Sequence, residues 1–153
     1  MHYSLLVLLD GSKTLGELMD PYDEDKAYDE SRNDDAMWDW YEVGGRWKGL
    51  IEATIGGFGR RNRWDFEKDN EPYPGDGFRF DIARVCDITN LDTNMIHDVL
   101  TPDGIWHKSE IYYPDGNEEG QYFVTKDGWH DSVWDKYVKP HSDCLAMIID
   151  YHI

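Results

Sequence analysis

The two most apolar stretches of this chain, Leu5-Leu-Val-Leu-Leu9 and Leu145-Ala-Met-Ile-Ile149, lie near its opposite ends. Each has the length of a buried strand and falls far short of the roughly 20 residues that a membrane helix needs. A strand that is apolar on both faces must sit inside a sheet, not at its edge. Both ends therefore belong in the middle of one structure, and the rest of the chain has to be wound around them. Adjacent terminal strands would bring His2 close to His152.

The intervening residues read as follows. His2 to Leu9 is a strand that ends at Asp10-Gly-Ser. Thr14 caps a short helix through Met19, with Glu17 three residues on completing a capping box, and Pro21 stops it. Residues 20–35 form an acidic loop. Trp38 to Val43 alternates loosely and suits strand or helix, and Gly44-Gly45 breaks it. Arg46 to Ile55 reads as a strand and Asn70 to Gly77 as a loop. Phe80 to Val85 reads as one or two helical turns. Met95 to Leu100 and Ile105 to Tyr113 are strands joined by the turn Thr101-Pro-Asp-Gly104. Pro114-Asp-Gly116 is a further turn. Trp129, Val133, Trp134 and Tyr137 have helical spacing, and Pro140 ends that helix. Cys144 to Ile153 is the last strand.

Strands at both ends, helices between them and a late hairpin predict an α+β fold. The expectation is a single antiparallel sheet with helices packed on one face and the N- and C-terminal strands central. The 153 residues form a single domain, 1–153, long enough to bury roughly 68–70% of the unfolded surface without staples. Cys86 and Cys144 stand alone, unlike a disulfide framework, so reduced thiols in a cytoplasmic setting are expected. No positive segment or small-residue cleavage site accompanies the first apolar run, so no export signal is expected.

The formal net charge is −17, which disfavours free nucleic acid and membrane surfaces as partners. The charge is uneven. Residues 1–43 carry −9 and residues 69–153 carry −11, whereas residues 44–68 carry +3. That basic island holds Arg46, Lys48, Arg60, Arg61, Arg63 and Lys68, six of the 14 glycines, and Trp47, Phe58 and Trp64. Glycines let a backbone approach a ligand, arginine forks match phosphate, and aromatic faces stack on bases. Tyr41-Glu-Val-Gly44-Gly45-Arg46-Trp47-Lys48 thus has the ingredients of a nucleotide pocket, though neither a P-loop nor a dinucleotide fingerprint. The alternative is a structural turn, with Trp47 in the core and the arginines paired to carboxylates.

Three other clusters stand out. Asp150 and His152 share a strand face, and a neighbouring His2 would complete an Asp/His/His set suited to acid–base work or to a metal. No metal and no cofactor is assigned from this pattern, and solvated chain ends are the alternative. Trp106-His107 follows a tight turn and offers a ligand contact or a general base, against a structural histidine. The Asp34-Asp35 and Asp23-Glu-Asp25 pairs lack EF-hand spacing. Gly-x-Ser-x-Gly and His-Glu-x-x-His motifs do not occur.

Trp38-Asp-Trp-Tyr-Glu-Val-Gly-Gly-Arg-Trp47, Thr101-Pro-Asp-Gly-Ile-Trp-His107, Pro21-Tyr-Asp-Glu24 and Asp150-Tyr-His152 resemble a group of small proteins encoded by bacteriophages and prophages. The resemblance implies phage origin and a host cytoplasm, and no reaction. It favours a counter-defence protein of one of three kinds. The first captures a small nucleotide signal without turnover through Tyr41, Gly44, Gly45, Arg46, Trp47, Lys48, Arg60, Arg61, Arg63, Trp64, Trp106 and His107. The second is an acidic, DNA-mimic-like inhibitor of a basic host protein. The third is a nucleotide-cleaving enzyme using His107, Asp150 and His152. A homo-oligomer through exposed tryptophans is a further option.

Overall fold

The computed structural model describes residues 1–26, 34–54, 79–109, 111–112, 124–125 and 128–153. The chain forms strands β1 (His2–Leu9), β2 (Trp40–Val43), β3 (Ile51–Ala53), β4 (Arg79–Phe80), β5 (Ile82–Arg84), β6 (Ile88–Leu91), β7 (Asp98–Leu100), β8 (Trp106–Lys108), β9 (Ile111–Tyr112), β10 (Val124–Thr125) and β11 (Leu145–His152). Two short α-helices, α1 (Leu15–Met19) and α2 (Trp129–Ser132), complete the α+β fold.

The terminal strands are central. β1 and β11 pair antiparallel over their whole length, from His2 opposite His152 to Leu9 opposite Leu145. The main sheet runs β2-β11-β1-β7-β8, with β5 also pairing with β11. Leu5, Leu6, Val7 and Leu8 are fully buried, as are Ala146, Ile148 and Ile149. Each large apolar side chain removed from water contributes about 2 kcal/mol, so these strands anchor the fold.

Two features differ from the expected single antiparallel sheet. β7 runs parallel to β1, which makes the main sheet mixed. A second, three-stranded sheet (β4-β3-β6) and a β9–β10 pair stand beside it. The helical segments pack on the sheet as follows. Leu18 and Met19 of α1 pack with Leu5 and Val7, while Val133, Tyr137 and Val138, in the wide helical turn that follows α2, pack with Leu6 and Leu8. Successive residues of β1 point to opposite faces, and both faces are apolar, so each needs a cover.

Locally, the Thr14 capping box forms as predicted. Arg46 to Ile55 is not one strand. Gly44, Gly45 and Gly49 have φ of +74°, +51° and +77°, and the chain makes a tight turn at Gly45–Trp47 before β3 begins. Phe80 to Arg84 is extended and supplies β4 and β5, because Phe80 packs beside Ile51 while Ala83 pairs with Ala146, and only Val85 enters a short 3-10 turn. A short apolar run cannot be told from a helical turn by its period alone. Cys86 is exposed and Cys144 buried, both as free thiols. Among the described residues no helix is long and apolar enough to cross a membrane.

Candidate functional site

The register of three strands builds the site. His152 of β11 lies opposite His2 of β1 on one side and opposite Trp40 of β2 on the other. Asp150, two residues back on β11, shares their face. The backbone closes this edge, since the N-terminal amine donates to the carbonyl of Ile153 at 2.8 Å. The His2 and His152 rings meet edge to face, 5.1 Å between centroids, and Trp40 meets His2 at 5.9 Å.

Each imidazole faces its own carboxylate. His2 Nδ1 lies 2.9 Å from Asp150 Oδ1, and His152 Nδ1 lies 2.9 Å from Asp39 Oδ1. A carboxylate only accepts, so each Nδ1 carries the hydrogen, and Nε2 is the atom left to accept or deliver a proton. The two supports differ. Asp150 is 1% exposed, whereas Asp39 is about one-third exposed. Trp40 is one of the few large apolar side chains on the surface among the described residues, at 45% exposure.

The glycine turn holds Asp150 in place. Arg46 N–H donates to Asp150 Oδ2 at 2.8 Å. A Cβ on Gly45 would lie 2.3 Å from the Asp150 Cβ, so only glycine fits there. Gly44 plays the same part for Asp81, whose Oδ2 would be 2.6 Å from a Cβ on Gly44 and whose Oδ1 accepts Gly49 N–H at 2.6 Å. Backbone donors that the sequence offers to a phosphate are thus used by two of the protein's own buried carboxylates. This is the anion-binding logic of a turn rich in N–H groups, satisfied internally.

No family model, curated protein or solved structure matches this chain.

The other predicted site residues scatter. Tyr41 points to the opposite face from Trp40 and packs edge-on against Trp38 at 4.8 Å. Trp47 packs against His97 at 5.2 Å, and among the described residues its indole N–H has no hydrogen-bond partner. Arg46 is exposed and Lys48 half-buried beside the turn. Arg60, Arg61, Arg63 and Trp64 lie outside the described residues. Trp106 is buried and donates from Nε1 to Asp98 at 2.9 Å. His107 is tied to Thr101 Oγ1 at 3.0 Å and lies against the Tyr137 ring at 4.5 Å, with burial lowering its pKa. Among the described residues no three acidic, histidine or cysteine side chains converge as a metal site.

Asp39, Asp81, His97 and Asp98 escaped the sequence reading. Asp39 had a signal, one residue before an exposed tryptophan on the strand beside His152. The others had none, because their partners come from distant segments. Asp98 is buried and accepts from Trp106, Tyr151 and Ser109; burial raises its pKa, and those bonds oppose the rise. His97 takes the Ser4 N–H on Nδ1 at 3.1 Å, and burial lowers its pKa to about 4.

Proposed function

We propose that this protein binds a small nucleotide-type ligand at the His2–His152 edge, with phosphate against the two imidazoles and the base on Trp40. The observation that carries the reading is the pair of imidazoles 5.1 Å apart, each held by its own carboxylate. With both ring nitrogens protonated, each imidazole keeps its Nδ1 hydrogen on its carboxylate and donates from Nε2, and two such donors match two oxygens of one phosphate. The exposed indole beside them supplies a stacking face, worth about 1–3 kcal/mol per base. In the phage setting that the resemblance implies, capture of a host signalling nucleotide is the role. The site moves from the glycine turn, whose donors are committed to Asp81 and Asp150, to the edge which that turn supports.

Cleavage of the bound nucleotide is a second reading, favoured by the burial of Asp150. A buried carboxylate that orients an imidazole is the arrangement of a general base. One Nε2 would take the proton of an attacking hydroxyl or water as its oxygen bonds to phosphorus. The other imidazole would protonate the departing oxygen as its P–O bond breaks.

The test is a ligand trap. The full chain is mixed with linear and cyclic nucleotides and washed, and what stays is released by heat and identified by mass spectrometry. An intact nucleotide in stoichiometric amount, absent from His2→Asn and His152→Asn, supports capture, and an altered one supports cleavage. An empty trap contradicts both readings and directs the search to a basic protein partner.

A further inference from the structure

A cleft of about 350 Å³ lies between β6 and the segment that begins at α2, apart from the histidine edge. That volume is within the range of small-ligand pockets. β6 pairs with β3 on one side, and among the described residues no strand covers its other side. Trp134 packs in part against the core and presents an aromatic wall to the cleft. Thr89 and Asn90, both exposed on β6, add a hydroxyl and an amide, and Thr93 adds a second hydroxyl. His130 is fixed in place by Nδ1, which lies 2.7 Å from the Thr93 carbonyl. Asp131 supplies a carboxylate, and no Lys or Arg stands among the described lining residues.

We propose that this cleft binds the amino-bearing heterocycle of an unphosphorylated nucleoside. The indole stacks on a planar ring. The Asn90 amide can pair with an amino group and the ring nitrogen next to it, as it does with adenine edges elsewhere. The Asp131 carboxylate accepts an exocyclic N–H and, with no Lys or Arg among the described lining residues, repels phosphate. The site is independent of the histidine edge, which is assigned a phosphate.

The test is an NMR titration of the full chain with adenosine, inosine and arginine amide, reading the Trp134 indole and Asn90 side-chain amide resonances. Adenosine is expected to shift both, and inosine, which has no amino group, to bind roughly ten-fold more weakly. The exposed substitutions Asn90→Ala and Asp131→Asn leave the fold intact, each weakening adenosine by a similar factor; Trp134→Phe serves as a third variant. Three results would overturn the proposal: no shift at millimolar adenosine, a shift that both exposed substitutions leave unchanged, or a response to arginine amide alone.

Discussion

Gly45 and Asp150 occupy space that a single methyl group would fill: a Cβ on the glycine would stand 2.3 Å from the aspartate Cβ. This contact joins the glycine turn to the terminal strand and explains why two patches far apart in sequence serve one edge. Gly45→Ala therefore meets two costs, a left-handed φ of +51° and a steric overlap with a buried carboxylate. Gly11→Ala meets only the first, since at φ +88° a Cβ there would find nothing within 4 Å. Chemical unfolding should show a loss of about 1 kcal/mol for Gly11→Ala and at least about 3 kcal/mol for Gly45→Ala. Equal losses would mean that the overlap relaxes freely.

Asp150→Asn keeps the shape and changes the hydrogen-bond sense. The amide keeps an oxygen for the Arg46 N–H and turns its NH₂ toward His2 Nδ1, which must then accept. The hydrogen moves to Nε2. Long-range ¹H–¹⁵N spectra of the imidazole should show that tautomer change, with nucleotide retention falling at least roughly ten-fold. Retention unchanged despite a flipped tautomer would show that Asp150 supports the fold alone.

Acid stability follows from His97. Burial, aided by the charge of His130, holds its pKa near 4 against 6.5 in the unfolded chain. Between those values the unfolded chain binds the extra proton, so stability is full above pH 6.5 and falls as pH drops toward 4, by about 3 kcal/mol in all. Asp98 acts with the opposite sign: its raised pKa makes the native state lose stability as pH rises from 3.8 through the raised value. His97→Asn keeps an acceptor for the Ser4 N–H and removes the titration. Its unfolding midpoint should be flatter than that of the wild type between pH 6.5 and 4, and an unchanged slope would refute the assignment.

Tyr151→Phe deletes the 2.7 Å bond to Asp98 and leaves the carboxylate with Trp106 and Ser109. A bond to a charged acceptor is worth about 1.5–3 kcal/mol, and urea unfolding near pH 7 should show that loss. Below pH 3.8, the ordinary value above which burial raises the Asp98 pKa, the carboxyl is protonated and the difference should shrink.

Much of the frame was legible. The two end runs placed β1 and β11 at the centre, because five apolar residues in a row have nowhere else to go. Thr14 and Glu17 announced α1, and Thr101-Pro-Asp-Gly104 the β7–β8 turn, since both signals are local. β4, β5 and β6 were not legible: their pairing is decided by partners such as Ile51 and Ala146, far away in sequence. The histidine edge was visible in part, as Asp150 and His152 two apart and His2 near the start. The glycine turn was read as open to a ligand because a sequence cannot show that Asp81 and Asp150 already take its N–H groups.

The most direct test follows the imidazole resonances of His2 and His152 while 5′-AMP and cyclic AMP are added to the full chain. A ligand seated at this edge should shift both rings and the Trp40 indole and leave His107 and His141 in place. Unmoved His2 and His152, with or without changes at Trp134 and Asn90, would contradict the assignment of this edge as the nucleotide site.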